Sequence, residues 1–360
     1  MKLTSARVRV RDYEAATEEV YARGWTDGLP VVLPTEHKVM KVLEYLHRDP
    51  KEVIGIIGPK NGVATIEKIA INCVMGGCLP EHVPVVIAAL SAMLEEAFNL
   101  NGLNTTTHCA APITVVSGPI VKELGFGYGD GLFYGSGSRA SGAVGRAIRL
   151  IRWNIGGGFP GDMDRSTLGH PGEYAFCIAE NQDANPWEPI HVERGLNPED
   201  SAVTVYGGEA PHHVSTGSAS AVQVLMRIGD AMAKLGGNNI HAGGDIMVVI
   251  GPRAAATLAQ ESFSKQEIKK FLFENARKPA GLVVLTTSEE RLKAARVMFG
   301  LPKWINMEDP NALVPVVRRE EDITIVVAGG WGAGGGFCAV LPGWGHYGGW
   351  VQTRKIEMPK

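Results

Sequence analysis

His108-Cys109-Ala110-Ala111-Pro112-Ile113-Thr114-Val115-Val116-Ser117-Gly118-Pro119 reads as a polar lead-in, an apolar run and a Gly-Pro stop. It aligns without gaps to His241-Ala242-Gly243-Gly244-Asp245-Ile246-Met247-Val248-Val249-Ile250-Gly251-Pro252, with six of twelve positions identical. Upstream, Gly76-Gly77-Cys78-Leu79-Pro80-Glu81-His82-Val83 matches Gly207-Gly208-Glu209-Ala210-Pro211-His212-His213-Val214 at five of eight. The offsets, 131 and 133 residues, nearly agree. Short Val/Ile runs closed by Gly-Pro read as buried strands that turn sharply at their C-terminal ends. Ile54–Pro59 has the same ending, and Ile325–Gly330 a looser version.

Helical spacing surrounds these runs at Tyr13–Arg23, Glu36–Leu46, Val83–Leu94, Ala219–Leu235, Arg253–Leu258, Lys265–Asn275 and Glu289–Phe299. Strands alternating with helices make an α/β protein. The expectation is an internally duplicated, pseudo-two-fold fold with a mixed sheet and flanking helices. One half spans 1–155 and the other 201–360. Between them, 156–200 is rich in Gly, Pro, Asp and Asn and too long for an idle connection, which points to a functional loop.

A net charge of −3 with 20% charged residues gives no reason to expect nucleic acid or an acidic membrane surface as partner. The first twenty residues lack an apolar signal core. No stretch approaches the ~20 apolar residues of a membrane span. Five scattered cysteines fit a reducing compartment better than a disulfide framework, so a cytoplasmic protein is expected, with a homo-oligomer as one form it could take.

The duplicated blocks carry most of the candidate chemistry. Cys78 stands just before the Val83–Leu94 helix, where the helix dipole would favour a reactive thiolate; it could equally be a small buried residue in a loop-to-helix turn. His82, His108, His212, His213 and His241 are half of the ten histidines. If the copies pack about a two-fold axis, they would converge with Cys78 and Glu209. Such a set suits Zn or Fe, with His108 and His241 as first candidate ligands, although no His-x-x-x-His or Cys-x-x-Cys spacing is present.

Gly135-Ser136-Gly137-Ser138-Arg139 leads into a helix, so Ser138 and Arg139 could hold a carboxylate or phosphate, or Ser138 could simply cap the helix. Asp162, Asp164, Arg165, His170 and Glu180 crowd the central loop as substrate contacts or as solvated surface, with Glu180 a possible general acid or base. Trp331 sits in a Gly-rich stretch, 329–336, that resembles no dinucleotide loop.

Gly24-Trp25-Thr26-Asp27-Gly28-Leu29-Pro30-Val31-Val32, Gly77-Cys78-Leu79-Pro80-Glu81 and Glu180-Asn181 with Pro186-Trp187-Glu188-Pro189 resemble the signatures of a little-characterised bacterial family. The likeness runs through most of the chain. The family is associated with small UGSC-type selenoproteins or thiol-redox proteins. That implies thiol or redox chemistry, a thiol or selenol redox partner, and a special place for Cys78. A Cys73–Cys78 pair would be peculiar to this chain.

The expected function is a small-molecule enzyme with its pocket between the copies. Cys78, His82 and His108 would face Glu209, His213 and His241. Ser138, Arg139, Asp162, Asp164, Arg165, His170, Glu180 and Trp331 would hold a carboxylate- or carbonyl-bearing substrate. Thiol-dependent redox chemistry or bond cleavage would follow. A metal-dependent hydrolase or lyase and a non-catalytic subunit of a thiol-redox system are the alternatives.

Overall fold

The two aligned runs each become the inner strand of a four-stranded sheet. In the computed structural model, which describes residues 3–217, 219–288, 290, 307–332 and 336–359, the strands follow in chain order. They are β1 (Val53–Ile57), β2 (Gly62–Thr65), β3 (Ala111–Ser117), β4 (Cys177–Ala179), β5 (Ala202–Gly208) and β6 (His212–Ser215). After these come β7 (Ile246–Ile250), β8 (Arg277–Pro279), β9 (Leu313–Pro315), β10 (Ile323–Val327), β11 (Phe337–Pro342) and β12 (Gln352–Lys355). One sheet has the order β12-β5-β3-β4 and the other β6-β11-β7-β10. In each, the inner strand pairs antiparallel with one neighbour and parallel with the other, so both sheets are mixed. The pairs β1–β2 and β8–β9 stand apart as two-stranded ribbons.

The period-two alternation of side chains explains how the layers stack. Ile113 and Val115 of β3 pack with Tyr206, Met247, Val249 and Leu341, so the two sheets lie face to face. Their other faces carry helices. Val116, Val203 and Val205 pack under Ile66–Gly76, Val83–Met93 and Arg139–Asn154. Ile246, Val248 and Ile250 pack under Ala221–Met232, Pro252–Gln260 and Lys265–Asn275. The result is an α/β fold of four layers: helices, sheet, sheet, helices. The most apolar helix pair, Ile66–Gly76 and Pro80–Met93, is bent by 118°, and among the described residues no single helix is long and apolar enough to cross a membrane.

Two expectations need correction here. The Gly76–Val83 and Gly207–Val214 blocks are unlike structures: the first is a helix end, a turn and a helix start, and the second is a strand end running into β6. Only the His108 and His241 blocks lead into corresponding strands. Nor do the halves separate at 155 and 201. β5 and β12 belong to the first sheet and β6 to the second, so the chain passes from one sheet to the other twice. The expected helix at 289–299 falls, apart from residue 290, outside the described residues.

The two crossings meet at Gly208 and Gly343, which form a backbone bridge. A Cβ on Gly343 would sit 2.3 Å from the Asp245 carbonyl oxygen. That oxygen is also reached by the Tyr206 hydroxyl, at 2.9 Å. Backbone there cannot yield as a side chain can. Gly343→Ala should therefore destabilise the protein by about 1–3 kcal/mol, the usual range for overpacking, read as a lowered urea midpoint. An unchanged midpoint would mean that the crossing is looser than described.

The Gly24–Pro30 segment is a strap on the Arg139–Asn154 helix. Arg146 grips Asp27 with two hydrogen bonds, Nε to Oδ2 at 2.8 Å and Nη2 to Oδ1 at 2.6 Å. It also donates to the Leu29 carbonyl, while Trp153 and Asn154 donate to the carbonyls of Gly24 and Trp25. The Asp27 side chain is 1% exposed. This motif holds a loop on a helix.

Candidate active site

The polar lead-in to β3 meets the first residue beyond β5. His108 Nε2 lies 3.0 Å from Glu209 Oε1. Glu209 is placed by its own N–H, which donates to Pro342 O at 2.8 Å, immediately beside the sheet crossing. His108 is placed by its N–H to Thr106 Oγ1, which in turn accepts from Trp344 Nε1. A carboxylate can only accept, so in the neutral imidazole of His108 the proton lies on Nε2 and Nδ1 is the acceptor. That Nδ1 is buried and has no hydrogen-bond partner.

The central loop folds over this point. Thr167 donates twice to the Thr107 carbonyl, through its N–H and its hydroxyl. His170 then comes within electrostatic reach of Glu209, His108 and Glu173. Its Nδ1 accepts from Gly172 N–H at 3.1 Å, which puts the ring proton on Nε2. Nε2 is also buried without a partner; the Gly208 carbonyl is near but offers no well-formed hydrogen bond. Burial holds the His170 pKa below its ordinary value, partly countered by Glu173. His170 is therefore a neutral N–H donor at pH 7. Cys109 adjoins the pair, and burial, then Glu209, raise its pKa, so it is a thiol there.

The loops are anchored by a buried polar chain. Glu173 accepts from Arg149 Nη1 at 3.2 Å and from Arg152 Nη1 at 2.9 Å. Arg152 Nε donates to Asn104 Oδ1 at 2.6 Å, and Asn104 Nδ2 to Gly58 O. The Arg149 and Arg152 side chains are 9% and 5% exposed. Burial raises the pKa of Glu173, but the two guanidiniums outweigh it and hold the carboxyl below its ordinary value. Arg146, Arg149 and Arg152 recur every three residues on one helix. That stripe was the available sequence signal for the buried carboxylates Asp27 and Glu173, neither of which was singled out as a site residue.

The expected cross-copy pocket does not form around Cys78. Cys78 and His82 lie together on the helix side of the first sheet, beside Cys73 and Arg139. Their polar neighbours are Cys73, Arg139 and Cys177, whereas His108 and Glu209 meet at the sheet crossing. His213 is exposed on β6 and stacks on Phe337 with ring centroids 4.8 Å apart. His241 is held at both ring nitrogens, by Leu235 O at 2.9 Å and by the Thr287 hydroxyl. The expected His108–His241 metal pair is not assembled, because both nitrogens of His241 are taken by Leu235 O and the Thr287 hydroxyl while His108 faces Glu209. Among the described residues no group of three or more His, Cys, Asp or Glu side chains could hold a metal ion.

The other expected substrate contacts have structural partners. Ser138 caps the Arg139–Asn154 helix by accepting from Ser141 N, and Arg139 Nε donates to Gly77 O. Asp162 pairs with Lys60 at 2.7 Å on the surface, Asp164 accepts from Ser166 N, and Arg165 reaches Gly161 O.

Glu180 and Trp331 line neighbouring depressions at the other end of β3, about seven residues or roughly 20 Å of strand from His108. The larger, about 470 Å³, is bounded by Tyr128, Asp130, Asn181, Asp183 and Trp331.

Both Glu180 oxygens accept from Ile190 N–H, at 3.2 and 3.0 Å, and Oε1 also from Asn185 Nδ2. Burial dominates and raises its pKa from 4.5 to about 7, against the pull of Lys265. A raised carboxyl binds its proton more tightly when folded, so the protein should lose stability as pH rises from about 4.5 through about 7. Glu180→Gln should flatten that part of the stability curve, measured as urea midpoints at pH 5 and pH 8. Parallel curves for the two proteins would count against this origin. No protein-family model and no curated protein sequence matches the chain.

Proposed function

We propose that the chain is an enzyme that moves a proton beside the carbonyl of a small molecule, leading to isomerisation or bond cleavage. One observation carries this reading: an unpartnered acceptor, His108 Nδ1, and an unpartnered donor, His170 Nε2–H, are buried around one carboxylate, Glu209. Buried polar atoms normally find partners, and exceptions ask for an explanation. A substrate supplies one. His108 Nδ1 would take the proton from the carbon next to the carbonyl, and Glu209 would stabilise the imidazolium that results. His170, neutral, would donate to the carbonyl oxygen as negative charge develops there.

A proton abstracted next to a carbonyl exchanges with solvent. Small oxo acids, aldehydes and ketones incubated with the protein in D₂O should lose a C–H signal in the proton spectrum. Nitrogen NMR of labelled imidazoles should show His108 and His170 both protonated at Nε2. If His108 proves to carry its proton on Nδ1 at pH 7 and no compound exchanges, the reading fails. Five cysteines without disulfides suit a reducing compartment, and we place the protein in the cytoplasm on that ground.

A further inference from the structure

We propose that Cys73 and Cys78 are an oxidisable dithiol, with a small hydroperoxide as oxidant and an intramolecular disulfide as product. The inference is independent of the His108 site. It rests on how the Ile66–Gly76 helix ends. Gly77 adopts a left-handed conformation, its N–H bonds to Val74 O at 3.0 Å, and Cys78 N–H bonds to Cys73 O at 2.9 Å. This pair of hydrogen bonds is the Schellman closure, which brings the side chains at its first and sixth positions into contact. Those positions are Cys73 and Cys78. The two sulfurs influence one another electrostatically, and the Cys78 thiol lies 3.4 Å from the Ala143 carbonyl oxygen, to which it donates. The backbone turn therefore supplies the approach that a disulfide requires.

The surroundings assign each sulfur a role. Leu79 N–H donates to His82 Nδ1 at 3.2 Å, so the His82 proton sits on Nε2, the nitrogen left to donate to Cys78. The Cys73 hydrogen bond, then His82 and the Arg139 charge, bring the Cys78 pKa down to about 7 against its burial. Cys73 has no exposure and is held well above the ordinary thiol range by that burial, then by Cys78. Cys177, the other thiol nearby, is pushed above the ordinary range by burial and then by Cys78. Cys78 is thus the attacking thiolate and Cys73 the resolving thiol. Cys78 is itself buried, at 7% exposure, so the oxidant must be a reagent of a few atoms and not a peptide disulfide.

In the first step the Cys78 sulfur bonds to one peroxide oxygen, the O–O bond breaks, and the departing alkoxide or hydroxide takes up a proton. Cys78 becomes a sulfenic acid. In the second, the Cys73 sulfur attacks the Cys78 sulfur, hydroxide leaves, and the Cys73 proton converts it to water. Two thiols lose two electrons, and one hydroperoxide is reduced to alcohol and water.

The test treats the full chain with hydrogen peroxide and, in parallel, with oxidised glutathione, and counts thiols after denaturation. Peroxide should lower the count from five to three, with a mass loss of about 2 Da and a cross-linked Cys73–Cys78 peptide. Glutathione should leave Cys78 unmodified. The peroxide rate should rise with pH, with a midpoint near 7. In Cys73→Ser, Cys78 should stop at a sulfenic acid that dimedone traps, and in Cys78→Ser, Cys73 should stay reduced. Retention of all five thiols, or a cross-link through Cys109 or Cys177, overturns the proposal. Should either variant not fold, the wild-type peptide map decides alone.

Discussion

Replacing His108 by alanine is expected to slow solvent exchange of the substrate proton by about 10²–10⁴-fold, the usual contribution of a positioned general base. The fold should survive, because the ring is partly exposed (24% of its side chain) and its contact with Glu209 is local. Glu209→Gln tests the arrangement more finely. The amide keeps the shape but removes the charge that stabilises the imidazolium, so the exchange rate should fall while binding of an unreactive analogue persists. His170→Phe should lower the rate without abolishing it, since it removes only the donor to the carbonyl oxygen. Equal rates for wild type and His108→Ala, on any compound that exchanges, would remove the base from the proposed mechanism.

The second large effect concerns the strap. Asp27→Ala is expected to cost about 3–5 kcal/mol, because it strands a mostly buried guanidinium, Arg146, without its carboxylate. Part of that charge would still find the Leu29 and Pro30 carbonyls, which favours the lower end of the range. The double replacement Asp27→Leu with Arg146→Met should recover much of the loss, since no charge is then left buried. Urea unfolding of the three variants provides the measurement. A loss under about 1 kcal/mol in Asp27→Ala would show the pair to behave as a surface ion pair.

How far the sequence could be read depended on the range of the interactions. The Glu36–Leu46 and Lys265–Asn275 helices agree with their expected ends, because apolar periodicity is a local pattern. The strands ending at Gly118 and Gly251 were legible for the same reason. His108, Glu209 and His170 were each singled out as polar residues beside predicted turns. Their meeting was not readable, since it requires β5 to end where the lead-in to β3 begins.

Cys78 stands just before the helix start at Pro80, as its motif suggested, but it also follows the Gly77 ending of the preceding helix, and that ending sets it against Cys73. The same motif spacing, Gly-Gly-x-x-Pro-x-His-Val, is compatible with a helix end at 76–83 and with a strand exit at 207–214. Five shared residues do not outweigh the different packing on either side.

By itself the chain determined an α/β arrangement with two apolar inner strands and their helical covers, since burial of alternating and 3.6-periodic apolar residues is written in neighbouring positions. Tertiary structure alone decided that the strands belong to two facing sheets that trade edges and that Glu209 answers His108. Those outcomes rest on backbone hydrogen bonds and close glycine contacts between residues far apart in the chain, which no local pattern records.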